Sequence, residues 1–187
     1  MRYYITKVLK RGESMRPIFS ANAVCAKAIT EISQGNMQRL TVLYEQLGRQ
    51  IYALAFTILN NRADAEDAMQ DTFLKVALHA ASFDEKGSAR AWVMAIARNA
   101  AFDIQSRRIA SVPPEQFEET ASEGDFTAEC ELKDLLSSLP ETERQIVLLK
   151  AAEGFRYAEI GETLGLTAEA VRKKYKRALQ KLKSEYR

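Results

Sequence analysis

Histidine and cysteine, the side chains that most metal sites and many nucleophilic centres draw on, are nearly absent. His79 stands alone, and Cys25 and Cys130 lie far apart with no paired spacing. A disulfide framework and a zinc knuckle are therefore not indicated. No nucleophile sits beside a base, and no spacing suits a metal ligand set, so neither an enzyme nor a cofactor is expected. Glycine (8) and proline (4) are scarce among the 187 residues, whereas Ala, Leu, Glu, Lys and Arg abound, which favours helix throughout. No stretch approaches the roughly 18 apolar residues that would span a bilayer, so membrane insertion is not expected. The opening MRYYITKVLKRGESMRPIF is basic but has no continuous apolar core and no small-residue cleavage site. A cytoplasmic protein is the expectation. The net charge of +2 implies no polyanionic partner by its size; its distribution along the chain is more informative.

What is present is helical periodicity. Residues 1–20 read as a basic tail in which Arg2, Lys7, Lys10, Arg11 and Arg16 face Glu13 alone, and Met15 offers a second candidate start site. From about Ala21, Val24, Ala28, Ile29 and Ile32 share a face until Gln34-Gly35-Asn36 interrupts it. Leu40, Leu43, Tyr44, Leu47, Ile51, Leu54, Ala55 and Ile58 then repeat at threes and fours, and Asn60-Asn61 ends the run. A helix from Ala63 to about Ala80, a loop over Phe83–Ser88 and a helix from Ala89 to about Arg108 follow. Pro113-Pro114 stops helical structure. Residues 113–134 carry eight acids against Lys133 alone, a solvated stretch that runs into a helix near Ala128. The pattern predicts an all-α fold of two small helical domains joined by an acidic flexible linker. The boundaries are a tail at 1–20, a first domain at 21–110, a linker at 111–130 and a second domain at 131–187.

The second domain carries a helix-turn-helix signature. Tyr157, Ile160 and Leu164 share one face, Gly165-Leu166 makes a tight turn, and Thr167 can cap the next helix. That helix offers Val171, Tyr175, Ala178, Leu179 and Leu182 for burial. Arg172, Lys173, Lys174, Lys176, Arg177, Lys181 and Lys183 line the other side. Residues 168–187 hold eight Lys/Arg against Glu169 and Glu185. A basic second helix behind a capped turn suits the major groove, with base edges reached from the first turns and phosphates from the flank.

The first domain carries the opposite charge. Along RADAEDAMQDTFLKVALHA the set Ala65, Ala68, Met69, Thr72, Phe73, Val76 and Ala77 forms one apolar stripe, and Glu66, Asp67, Gln70 and Asp71 lie opposite. Acids early in a helix complement its positive end, which accounts for Asp64 and Glu66 but less well for Asp71.

The segment from Ser138 onward resembles region 4 of extracytoplasmic-function (ECF) sigma factors. The resemblance is carried by Leu139-Pro140, Arg144, Tyr157–Ile160, Leu164-Gly165, Val171-Arg172 and Arg177-Ala178. Response-regulator output domains share much of this stretch. The first domain is more specific, because D-A-E-D-x-x-Q-D-x-F-L-K from Asp64 and AWVMAIARNAAFDIQSRR from Ala91 resemble region 2 of the same family.

The resemblance implies a sigma factor that binds core RNA polymerase and directs promoter recognition and transcription initiation. Glu66, Asp67, Gln70 and Asp71 would dock on the clamp coiled-coil of the largest polymerase subunit. The −10 element would fall to Phe83, Asp84, Lys86, Ser88, Arg90, Arg98, Asn99, Arg107 and Arg108, which combine polar groups for an extruded base with cations for the backbone. The −35 element would fall to Thr167, Arg172, Lys173, Lys174, Lys176 and Arg177. Trp92 is open to two readings, a stacking platform for a base or core packing with Ile96 and Ala100. The acidic linker is either a nucleic-acid mimic in the polymerase RNA path or an inert spacer. Cys25 and Cys130 are redox sensors or simply a buried small residue and a surface accident.

An anti-sigma partner is also implied. Two alternatives carry less of the chain: a sigma-like decoy that sequesters an anti-sigma factor, and a stand-alone helix-turn-helix regulator. The decoy lacks length for a receiver domain, and the regulator leaves the acidic helix unexplained. Gly161 departs from the alanine usual in the family, a change expected to cost its helix up to about 1 kcal/mol.

Overall fold

A computed structural model describes residues 18–111 and 136–185. Most of the basic tail, the acidic linker, the expected helix near Ala128 and Cys130 lie outside them. Among the described residues there are seven α-helices and no strand: α1 (Ile18–Ser33), α2 (Leu40–Leu59), α3 (Arg62–His79), α4 (Ala89–Ser111), α5 (Glu141–Val147), α6 (Tyr157–Leu164) and α7 (Ala168–Glu185).

The helix ends follow local chemistry. Asn60 closes α2 in the left-handed region at φ 53°, a conformation that asparagine tolerates. Asn61 then opens α3 by accepting the Asp64 amide on its side chain at 3.0 Å. Ser88 plays the same part for α4, where its hydroxyl accepts the Ala91 amide at 3.3 Å. Thr167 caps α7 as its position suggests, accepting the Ala170 amide at 3.2 Å.

The first four helices wrap around a shared apolar centre. On α1 the buried residues are Cys25, Ala28, Ile29 and Ile32. Val24 is 41% exposed, so Cys25 takes the inward place that the apolar pattern gave to Val24. Tyr44 is likewise displaced outward at 55% exposure, with its ring 5.7 Å from that of Phe73. Leu43, Leu47, Ile51, Leu54, Ala55 and Ile58 are buried as the period indicates. In α3 the inward residues Ala65, Ala68, Thr72 and Val76 are mostly small, which lets α2 and α4 approach closely.

The C-terminal unit consists of α5, a π-helical segment (Leu148–Ala152), α6 and α7. Gly165 makes the turn between α6 and α7 at φ 68°. Gly161 has a use that helix propensity does not reveal. A Cβ there would lie 2.5 Å from the Leu166 carbonyl oxygen, so the turn sits directly against the helix. Alanine at this place requires the turn to shift outward.

The larger difference from the sequence picture concerns how the two units relate. They do not hang apart on a tether. One continuous buried cluster contains Leu47, Ile51 and Val93 of the first unit together with Ile146, Leu149, Phe155 and Ile160 of the second. A second, smaller cluster, including Leu136, Leu139, Ala178 and Leu182, belongs to the C-terminal unit alone.

Phe155→Ala should destabilise the chain by about 3–5 kcal/mol. Because Phe155 shares a core with the first unit, the urea midpoint reported by Trp92 fluorescence should fall with that reported by helical circular dichroism. An unchanged Trp92 midpoint would mean the units unfold independently.

Burial pushes the Cys25 thiol from 9.0 up to about 11, against a smaller opposing effect of Arg90. Its stabilising contribution is present below pH 9 and is lost as pH climbs towards 11. Iodoacetamide at neutral pH should leave Cys25 unmodified in the folded chain and alkylate it in urea, read by peptide mass. Rapid native labelling would restore the redox reading of this residue.

Candidate nucleic-acid interface

Three surfaces and one internal contact hold the residues singled out by sequence. The first surface is the outer side of α3. Glu66, Asp67 and Gln70 are exposed, and Asp71 is half-buried with its carboxylate 3.1 Å from Lys75 Nζ. Lys75 also donates to Asp103 at 2.8 Å, and this hydrogen bond holds its ammonium above the usual lysine range. Leu74 and Leu78 continue the same side at 64% and 77% exposure. Sequence reasoning passed over these leucines, although their spacing from Asp67 and Gln70 at threes and fours was the available signal. Acids around an exposed apolar pair form a surface suited to another protein.

The second surface lies around the loop before α4. Phe83 is half-buried with its ring 5.4 Å from Trp92, which is itself half-buried, so these rings pack on one another. Asp84 shapes the loop by accepting the Lys86 amide on its side chain at 3.0 Å and the Gly87 amide on its carbonyl at 2.9 Å. Lys86 is exposed at the tip. Asn99 is exposed at a cleft of about 420 Å³ between α3 and α4, lined also by Lys75, His79, Ile96, Phe102 and Asp103. Of these six only Asn99 was singled out from sequence. The others become neighbours because α3 presents residues 75 and 79 across from 96, 99, 102 and 103 of α4, a pairing between helices that no single-helix period reveals. Arg107 is exposed and donates to the Asp103 carbonyl at 3.3 Å, while Arg108 is held by Asp64 at 2.6 Å.

Three of the residues expected to face the −10 element face the C-terminal unit instead. Arg90 is 5% exposed, with its guanidinium 3.9 Å above the Phe155 ring and 3.7 Å from Glu159. The hydroxyl of Ser88 lies 3.0 Å from Asn22 Oδ1 and 3.1 Å from Glu159 Oε1. Arg98 is half-buried, donating to Gln145 Oε1 at 3.2 Å and stacking over Phe102 at 4.6 Å. The reason is positional. α4 starts at the seam between the units, and the first turns of its outer side turn towards α6 rather than solvent. In this arrangement Arg90 in particular cannot reach a phosphate.

The third surface is the recognition helix α7. Val171 and Ala178 are buried, and Tyr175 is half-buried against Tyr157 at 6.0 Å between ring centres. That packing fixes the rotation of the helix. It leaves Arg172, Lys173, Lys176 and Arg177 exposed, with Lys174 half-buried at the edge and Thr167 exposed at the start. Lys173 pairs with Glu169 at 2.8 Å, but both side chains are about two-thirds exposed, so the pair contributes little and exchanges readily for a phosphate. Of the six residues singled out here from sequence, five are exposed and Lys174 is half-buried.

Among the described residues no group of His, Cys, Asp and Glu is placed to hold a metal ion, and no helix is long and apolar enough to cross a membrane.

Comparison with known proteins bears on both units. The Sigma-70 region 2 family model matches residues 43–109, and the Sigma-70 region 4 model matches residues 131–182. The ECF RNA polymerase sigma factor SigE of Mycolicibacterium smegmatis is 30% identical over 161 residues, covering 80% of this chain and 62% of the relative. The ECF sigma factor SigW of Bacillus subtilis is 24% identical over 183 residues, covering 86% of this chain and 96% of the relative. The chain thus spans just under two thirds of the first relative and nearly all of the second. Among solved structures, CnrH in complex with the cytosolic domain of CnrY matches with a TM-score of 0.69 at 22% identity, covering 87% of this chain and 97% of that one. RpoE bound to the anti-sigma factor NepR from Bartonella quintana matches with a TM-score of 0.60 at 22% identity, covering 79% and 98%. An acidic, leucine-bearing α3, a loop and cleft before and along α4, and a capped basic helix-turn-helix occur here in the order of regions 2 and 4, and on that ground the chain belongs to the ECF family of RNA polymerase sigma factors.

Proposed function

We propose that this chain directs core RNA polymerase to promoters and takes no catalytic part in transcription itself. Its work is in the cytoplasm, where polymerase and chromosome are. The observation that carries the reading is the pairing of two surfaces of opposite character on one chain. The exposed side of α3 carries Glu66, Asp67, Leu74 and Leu78, whereas the exposed side of α7 carries Arg172, Lys173, Lys176, Arg177, Lys181 and Lys183 against Glu169.

The α3 surface, through Glu66, Asp67, Gln70 and Asp71 with Leu74 and Leu78, docks on the clamp coiled-coil of the largest polymerase subunit. The α7 surface enters the major groove at −35, Thr167 and Arg172 leading and Lys173, Lys176 and Arg177 meeting phosphates. Between them the −10 element is melted and held on the first domain. The cleft beside Asn99 is roomy enough for one extruded base, and His79, Asn99 and Asp103 offer polar edges to it. Lys86, Arg107 and Arg108 follow the displaced backbone. We assign the promoter-opening domain to residues 21–110 and the −35 domain to 131–187, with 111–130 as the connection. The two solved relatives are bound to CnrY and NepR; an anti-sigma partner for this chain is part of the proposal.

The experiment is run-off transcription with core polymerase on a random promoter pool, which should enrich a two-part motif. Arg172→Ala with Arg177→Ala should abolish transcription that depends on the upstream half while leaving core binding intact. Binding of the variant to duplex should also weaken less steeply with salt, by a slope of about 0.9 for each phosphate that is no longer neutralised. Asp67→Arg with Leu78→Arg, both at exposed positions, should do the reverse: at least a tenfold loss of core binding with normal duplex affinity of the C-terminal helix. Equal loss of both activities in either variant would refute this division of labour.

A further inference from the structure

Helix α1 precedes residues 43–109, and none of the residues assigned above to polymerase or DNA belongs to it. Three of its half-buried side chains nonetheless follow one another at fours. Asn22, Ala26 and Thr30 form a face beside the buried stripe of Cys25, Ala28, Ile29 and Ile32. The loop before α4 is fastened to this face at both ends. Near its start, Glu85 Oε1 accepts the Thr30 hydroxyl at 2.7 Å. At its end, Asn22 Oδ1 accepts the Arg90 amide at 3.1 Å and lies 3.0 Å from the Ser88 hydroxyl. The small Ala26 between them lets the loop come close.

Each fastening has a chemical reason. The Thr30 hydroxyl has one proton and two acceptors in reach. The Ala26 carbonyl at 3.2 Å is the usual partner within a helix, but the Glu85 carboxylate is nearer and charged, so it takes the proton. The Arg90 amide belongs to the first turn of α4, where the helix itself offers no acceptor, and Asn22 supplies one. Asp84 ties the middle of the loop through the Lys86 and Gly87 amides. Both acids of the loop are thus engaged in holding its shape. A carboxylate free to swing beside Lys86 would repel a phosphate there, and one held back on α1 does so less. The Thr30–Glu85 bond lies at an exposed edge, so water competes with it and it is weak alone. The fastenings together leave the loop little conformational freedom for a ligand to remove.

We propose that α1 is a splint for the −10 loop, with Asn22 and Thr30 as positioning residues that hold the loop in the shape the displaced DNA strand meets. The inference rests on the −10 assignment proposed above. It adds the element that makes the loop ready before DNA arrives.

The first test uses holoenzyme assembled from core polymerase and the full-length chain, with a fluorescent single strand carrying the downstream half of the enriched motif. Thr30→Val keeps the branched shape and removes the hydroxyl, and should weaken strand binding about fivefold. Thr30→Ser returns the hydroxyl and should restore the affinity to within about twofold. Asn22→Ala strands the Arg90 amide and should weaken strand binding about tenfold. Core binding and affinity for a duplex of the upstream half should stay at the parent value in all three. Parent strand affinity in both Thr30→Val and Asn22→Ala would overturn the splint. A loss that Thr30→Ser does not repair, or one matched by a loss of core binding, would also overturn it, since either marks a merely structural role.

Hydrogen exchange on the free chain, read by mass spectrometry, decides the splint apart from the promoter reading. Exchange at residues 84–90 should accelerate about threefold in Thr30→Val and return to the parent rate in Thr30→Ser, with α2 and α3 unaffected. Parent exchange in Thr30→Val would again overturn the splint. If Lys86→Ala with Asn99→Ala leaves strand binding intact while exchange responds as expected, the −10 assignment falls and α1 still sets the shape of the loop.

Discussion

Close packing along α4 is the constraint on which the rest of the structure rests. Most of its buried residues are small: Ala89, Ala91, Ala97, Ala100 and Ala101, with Arg90, Val93 and Met94 between them. Small side chains allow neighbouring helices to approach from several directions at once, and α4 accordingly touches α1, α2 and α3 on the first unit and α6 on the second. A single large residue in that stripe would force one of these neighbours away. The cleft beside Asn99, the seat of Phe83 on Trp92 and the seam at Arg90 all take their geometry from where α4 lies.

Charge is arranged around that scaffold by a simple rule. From Glu66 to Leu78 the fully exposed side chains of α3 are acidic, amide or apolar, and those of α7 are mostly basic, so the chain is nearly neutral overall but strongly polarised. Such a molecule approaches a polyanion with one end and a protein with the other. The small net charge, which alone argues for nothing, is what remains when two large opposite fields are summed. Lys75, bound to both Asp71 and Asp103, links the acidic side of α3 to the wall of the cleft.

Single-helix features were legible in the sequence, and features made between helices were not. The end of α2 at Asn60, the Thr167 cap and the exposed cations of α7 each depend on residues a few positions apart, so period and capping chemistry find them. The inward turn of Cys25 in place of Val24 requires knowing how α1 is rotated against its neighbours, which a short apolar run leaves open. Likewise Lys75, His79, Ile96, Phe102 and Asp103 line one cleft only because α3 and α4 cross where they do. Arg90 is the sharpest case. An arginine in the first turn of a helix after a polar loop is most simply a solvated phosphate ligand, and nothing in its neighbourhood along the chain says that Phe155 and Glu159 will cover it.

That burial sets a charged pair beside the apolar contact between the two units. Phe155 and its apolar neighbours favour closure by removing surface from water. The ionic pair at the same seam sets a limit to that gain, because Arg90 and Glu159 give up hydration to lie there. The apolar side chains Ile146, Leu149, Phe155 and Ile160 are fully buried and form the centre of this contact, and the ion pairs of Arg49 and Arg90 stand beside it. Three of the nine residues expected to hold the −10 element, Ser88, Arg90 and Arg98, therefore lie at the seam, and the other six stand outside it.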